Sequence, residues 1–260
     1  MARTARIIPV RQNREKRMTL AAHFEELRWT LIRCLCAVIL CAVPCGICWR
    51  KIFGWIAVWP LRLSSPAPQL IFTAPTDAVF FIFEIAMTGG VVIASPFLFL
   101  QIWRFVSPGL YKKEIAVLIP AVAASVFCFI GGIAFCYFSL PLFLRFLVCF
   151  AEGLMDPLFR VNEYFGFLLK MCLVFGLSFE LPVVMFALSK MGIVDHRFLR
   201  SHFRHAIVAI FTVGAVLTPT LDALSLLFFS LPLVALYGVS IFISLFAGKR
   251  KQIHEQKTGT

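Results

Sequence analysis

Thirteen acidic residues stand against 25 Lys and Arg, and several of those acids occupy positions where a carboxylate is costly. Glu25 and Glu26 lie in HFEELRWTLIR, ahead of an apolar run, and Glu114 closes QIWRFVSPGLYKKE, ahead of another. Neighbouring carboxylates can take guanidinium groups in bidentate pairs, which fix geometry as well as charge. The chemistry open to these three is therefore recognition of an Arg-bearing ligand. The plain structural alternative is a helix start, where acids favour the positive end of the macrodipole and Arg28 and Arg33 snorkel to the interface. Glu180 is different. In GLSFELPVVMF it stands at the centre of the apolar segment 171–189, nine residues from either end. A charge at that depth costs roughly 3 kcal/mol on insertion scales, so the side chain is expected to face a concave, water-accessible groove or a partner helix, the alternative being a neutral acid satisfied inside the protein. Pro182 just beyond it removes a backbone donor and should bend the helix. Glu84 lies in an earlier apolar run, and Asp222 follows Thr218-Pro219-Thr220-Leu221, where it also reads as an N-cap for the next helix.

Other chemistry is poorly represented. No HExxH, no GxSxG elbow and no pair of catalytic acids occurs, so an enzyme is not expected. The nine Cys lie in or beside apolar runs, and the one CxxC, Cys45 to Cys48, is itself inside such a run. No His stands at metal-ligand spacing from them. They read as small hydrophobes, with no metal, cofactor or disulfide implied.

The elements that must position these residues are membrane helices. Sixty per cent of the 260 residues are hydrophobic and only 15% are charged, with mean hydropathy +0.90. Runs at 29–49, 78–103, 115–138, 171–189 and 224–246 approach or exceed the roughly 20 residues that cross a bilayer. A sixth run, 206–217, covers only about 18 Å at 1.5 Å per residue. Charge decides whether to count it. With six spans and both termini inside, 18 Lys and Arg fall in the cytoplasm and five outside, a clear positive-inside distribution. Five spans would strand the basic C-terminal cluster on the wrong side. The fold expected is an all-α integral membrane protein of six transmembrane helices. It forms one polytopic domain over 1–260: a cytoplasmic segment 1–28, a membrane region 29–247 and a cytoplasmic tail 248–260.

The net charge of +12 then serves orientation and attraction to anionic lipids. Nucleic acid is not an expected partner, because the basic residues have no interleaved aromatic platform. The first apolar run is too long for a signal-peptide core and lacks a cleavage site after it, so it is expected to be retained. No internal repeat is visible. Segment 50–76, with Pro60, Pro66, Pro68 and Pro75, reads as an ordered outer cap. Segment 139–162, with Pro141 and Pro157 as breakers, reads as lying along the outer interface.

In order, HFEELR, VWPL, APTDAVFF, QIWRFVSPGLYKKE, FGLSFELPV and LTPTLDALS resemble the C subunit family of the twin-arginine protein translocase, TatC, from His23 to Ser225. The resemblance implies a concave, cup-like bundle in the bacterial cytoplasmic (inner) membrane. It implies recognition of twin-arginine signal peptides at the cytoplasmic face. It also implies TatA- and TatB-like single-span partners, further copies of the chain, and export of folded proteins driven by the proton-motive force. By position, Glu26 and Glu114 match the carboxylates linked to the signal arginines, and Arg28 and Phe105 match residues of that surface. Pro60 matches an outer-loop position needed for function, Glu180 the intramembrane Glu, and Asp222 the acid after the TP turn. The chain departs from the family pattern at Thr218-Pro219-Thr220-Leu221-Asp222, one residue longer than the common form, at Leu226, at Gly238, and at Glu84, where a basic residue is common. The chain carries no Arg-Arg pair of its own. The alternative function is a secondary transporter for a small solute or ion, with Glu180 as its proton or cation site.

Overall fold

The computed structural model describes residues 20–56, 58–63, 69–106, 115–149, 158–191, 194, 196–217 and 223–258. Glu114 and Asp222 lie outside the described residues. The elements are α1 (Leu20–Ile47), α2 (Trp49–Ile56), α3 (Val58–Leu63), β1 (Gln69–Ile71), α4 (Asp77–Val106), α5 (Ile115–Cys149), β2 (Leu158–Arg160), α6 (Val161–Ser178), α7 (Leu181–Met191), α8 (His196–Ser201), α9 (Phe203–Leu217) and α10 (Ala223–Thr258). Five helical stretches among the described residues are long and apolar enough to cross a membrane: 24–47, 77–105, 119–146, 161–190 and 226–245. The fourth passes through both α6 and α7. Helix α9, of 15 residues, rises about 22 Å and falls short of a hydrocarbon core of about 30 Å. Leu40, Ile47, Phe127 and Val216 stand well exposed on the helix surfaces, as lipid-facing side chains do.

Small residues set the helix crossings. A Cβ on Gly90 of α4 would lie 2.8 Å from the Val38 carbonyl and 2.9 Å from Ala42 of α1, so only glycine permits this approach. On α5, a Cβ at Gly132 would lie 2.6 Å from the Phe175 carbonyl of α6. Away from these crossings the core is aromatic: Phe81 meets Phe165 at 4.7 Å, and Phe143 meets Phe229 at 4.5 Å. Phe53 of α2 closes over Phe81 and Phe165.

Among the described residues, the segment after α1 folds into α2, α3 and β1, which cap the helices; Pro66 and Pro68 lie outside the described residues. The fold is not wholly helical, however. β1 pairs in parallel with β2, with Gln69 opposite Leu158 and Ile71 opposite Arg160. Asp77, at the start of α4, anchors the turn between β1 and α4. Its Oδ2 accepts from the Thr73 and Ala74 N–H groups at 3.1 and 2.9 Å and from the Thr73 hydroxyl at 3.0 Å. Arg160 donates from Nε to that hydroxyl at 2.8 Å and pairs with Glu163. Sequence periodicity does not show such a ladder, because three residues per strand are too few to alternate.

Two expectations about breaks need correction. Pro141 does not end the third span: α5 runs through it to Cys149. Leu140, Phe143 and Leu144 around it are almost fully buried, and that packing outweighs the one backbone bond Pro141 removes. The fourth span begins at Val161, ten residues before the apolar run at 171–189, so Glu180 is not at its centre. About 15 Å of helix separates Glu180 from Lys190.

Candidate functional site

Two to three turns of α1 and the last turns of α4 face each other where α1 begins and α4 ends. They enclose a cleft of about 440 Å³ lined by Glu25, Glu26, Trp29, Thr30, Arg33, Gln101, Arg104 and Phe105. On α1 the lining recurs at 26, 29, 30 and 33, one helical face; on α4 it recurs at 101, 104 and 105. The glycine-permitted crossing at Gly90 holds the two helices at this spacing.

The two glutamates are not equivalent. Glu25 is exposed, accepts from the Trp29 indole at 2.9 Å and stands 3.9 Å from Arg28. Glu26 is half-buried, and its Oε2 is fully buried with no hydrogen-bond partner among the described residues. Thr30 instead donates to the Glu26 backbone carbonyl at 2.8 Å. A buried carboxylate oxygen without a donor is costly, and an entering guanidinium offers the donors it lacks. Arg33 and Arg104 keep the cleft electrically mixed, so a ligand must outcompete them by geometry.

Of the residues singled out from sequence, Glu25, Glu26 and Phe105 share this cleft. Arg28 is exposed beside it and reaches Glu25, without lining it. Sequence reasoning missed Trp29, Thr30, Gln101 and Arg104, and took Arg33 only as a snorkelling helix residue. The same helical spacing that places Glu26 would have found those on α1. Pro60 is fully buried in the cap, beside Trp59, which stacks on Tyr137 at 5.2 Å.

Glu180 sits where α6 and α7 meet. Pro182 has no N–H for the Ser178 carbonyl, and the chain turns at Phe179 and Glu180, with Glu180 N–H bonding back to Leu177 at 3.1 Å. The bend expected from Pro182 is present. The expected orientation is not: the side chain is only 7% exposed and is turned onto α5. There it meets the Ser125 hydroxyl and the Phe129 backbone, and Ser125 in turn accepts from the Trp103 indole at 3.0 Å. Its Oε1 has no partner among the described residues. The crossing at Gly132 and Gly176 draws α6 onto α5 closely enough for this contact.

Glu84 has a structural account. Its carboxyl lies over Gly166, 3.3 Å from where a Cβ would stand, with Lys170 one turn further along α6 as a favourable charge. No ion pair joins the two among the described residues, and the Glu84 Oε2 is buried without a hydrogen-bond partner there.

Together these features define a multi-pass membrane protein with a polar cleft at one end and a carboxyl buried within its helices. The family model of the Sec-independent protein translocase protein (TatC) matches residues 22–232. The TatC protein of Carboxydothermus hydrogenoformans is 33% identical over 244 residues, covering 94% of this chain and 99% of that protein. That of Aquifex aeolicus is 35% identical over 240 residues, covering 90% and 98%. A crystal structure of the twin arginine translocase receptor TatC superposes with a TM-score of 0.80 at 35% identity, covering 86% of this chain and 99% of that one. The chain belongs to the TatC family, a membrane receptor component of a protein translocase and not an enzyme. That membership leaves the solute-transporter alternative without support.

Proposed function

We propose that this chain is the receptor and core subunit of a twin-arginine translocase, and that it binds twin-arginine signal peptides in the α1–α4 cleft. The observation that carries the reading is the buried, unpartnered Oε2 of Glu26, a residue that lines the α1–α4 cleft. In this reading the cleft faces the cytoplasm, both termini lie inside, and six spans including α9 cross the bacterial inner membrane as one domain. Glu26 and Glu114 take the paired arginines, and Arg28 and Phe105 flank them. TatA- and TatB-like single-span subunits, further copies of the chain and anionic lipids complete the assembly. It exports folded proteins at the expense of the proton-motive force. Glu180 and Asp222 serve polar contacts with partner helices, and Pro60 shapes the outer cap.

The test is photo-crosslinking of a twin-arginine peptide to the purified protein in nanodiscs, from probes at Trp29, Gln101 and Leu227. Adducts at Trp29 and Gln101, lost when the peptide carries Lys-Lys, are expected. Adducts at Leu227 alone would overturn the placement.

A further inference from the structure

Trp103 lies on the same turn of α4 as three cleft residues but points elsewhere. At 100° per residue its side chain leaves the helix about 160° away from those of Gln101 and Phe105. Those two and Arg104 line the cleft. The Trp103 indole donates instead to Ser125 on α5, a residue with no exposed surface. Ser125 then spends its own hydroxyl proton on the Glu180 carboxyl, at the junction of α6 and α7. One chain of hydrogen bonds thus crosses three separate elements. It starts on the back of the cleft wall and ends on a carboxyl that is more than nine-tenths buried and has one oxygen unpartnered.

The direction of donation is determined by chemistry. An indole N–H only donates, so the Ser125 oxygen accepts from Trp103 and its single proton remains for Glu180. Removing either donor leaves a buried acceptor or donor unmet, which membrane interiors do not readily repair with water. An aromatic contact flanks the chain. Phe129, one turn after Ser125, packs edge-on to Phe99, one turn before Trp103, at 5.5 Å. A shift of the α4 end on filling the cleft would change the distance from the indole to Ser125.

We propose that Trp103 and Ser125 are positioning residues that hold the Glu180 carboxyl against α5 and couple its position to occupancy of the α1–α4 cleft. This rests on the reading of that cleft as the signal site and adds the route by which the buried acid registers it. Neither residue touches the ligand in this scheme. The coupling runs through two hydrogen bonds and one turn of helix.

Infrared difference spectra of the full-length protein in nanodiscs test it. The Glu180 carboxyl band is assigned by its loss in Glu180→Gln. Ser125→Ala and Trp103→Phe are each expected to shift that band in the absence of peptide, and Ser125→Thr, which keeps the hydroxyl, to leave it at the wild-type position. A twin-arginine peptide is expected to shift the band in wild type, while Trp103→Phe binds the peptide with no shift. A band unmoved by Ser125→Ala overturns the positioning role. A wild-type band that ignores bound peptide, or a peptide-induced shift that survives in Trp103→Phe, overturns the coupling. Failure of the wild type to bind the peptide condemns the cleft as the signal site, and with it the coupling, whereas the Ser125 variants still decide the positioning. Should Trp103→Phe not insert, Ser125→Ala takes its place in the peptide arm.

Discussion

Glu25 and Glu26 are adjacent in sequence and identical in chemistry, yet the structure predicts unequal consequences for losing each charge. Glu26 presents a buried, unpartnered oxygen in the cleft, so a guanidinium bound there forms a charge-assisted bond in partial shelter from solvent. Such bonds contribute about 1.5–3 kcal/mol, which is roughly a 10- to 150-fold loss of affinity in Glu26→Gln. Glu25 is exposed and already engaged by Trp29 and Arg28. Exposed pairs contribute up to about 1 kcal/mol, so Glu25→Gln is expected to weaken binding no more than about fivefold. Gln is nearly isosteric and leaves the helix start intact. The assay is fluorescence anisotropy of a labelled twin-arginine peptide titrated with protein in nanodiscs at two salt concentrations. Wild type and Glu25→Gln should lose affinity with salt, and Glu26→Gln less steeply, because it has lost the sheltered charge. A Glu25→Gln defect equal to or larger than that of Glu26→Gln refutes the reasoning, since it would mean that solvent exposure does not rank the two carboxylates.

Gly132→Ala places a methyl 2.6 Å from the Phe175 carbonyl and forces α5 and α6 apart; destabilisation of about 1–3 kcal/mol is expected, read as a lowered thermal unfolding midpoint in detergent. Asp77→Asn loses the charge that three donors share at the cap and should lower the unfolding midpoint, with Arg160→Met giving a smaller loss because Arg160 is partly exposed; the same melt ranks them. Gly166→Ala crowds the Glu84 carboxyl, and Glu84→Ala on top of it is expected to restore much of the lost stability, a double-mutant cycle that reads the contact directly. Pro60→Ala should reduce export in vivo while leaving peptide affinity in nanodiscs unchanged, because the cap packs around Pro60 and α1–α4 close the cleft elsewhere.

Hydropathy alone located the five long helical stretches and the short sixth run, because an apolar helix in lipid must satisfy its backbone within itself and this leaves long, uniform signals. It also marked Glu180 as a carboxyl in an apolar setting; residue type singled out Glu26 at a helix start and the bend at Pro182, while Phe105 came only from the family resemblance. Ends and interruptions were less legible. Pro141 carries the same local signal as Pro182, yet α5 continues through it, since burial of Leu140, Phe143 and Leu144 against neighbouring elements decides the outcome and no local pattern encodes that burial. The β1–β2 pairing joins residues some 90 positions apart and has no periodicity to announce it.

The sites divide in the same way. Residue type and helical spacing determined that α1 carries a polar face at its start and that Glu180 is a carboxyl in an apolar setting. Only the tertiary structure decided that Glu26, and not Glu25, is left without a partner, since that depends on which side Trp29 and Arg28 take. It decided as well that Glu84 lies over the notch at Gly166, and that Glu180 turns inward to Ser125, which Trp103 bonds in turn. The Glu84 and Glu180 contacts join helices distant in sequence, placed by glycine-permitted crossings whose consequences appear only when the helices pack, whereas Trp29 and Arg28 meet Glu25 within α1 itself.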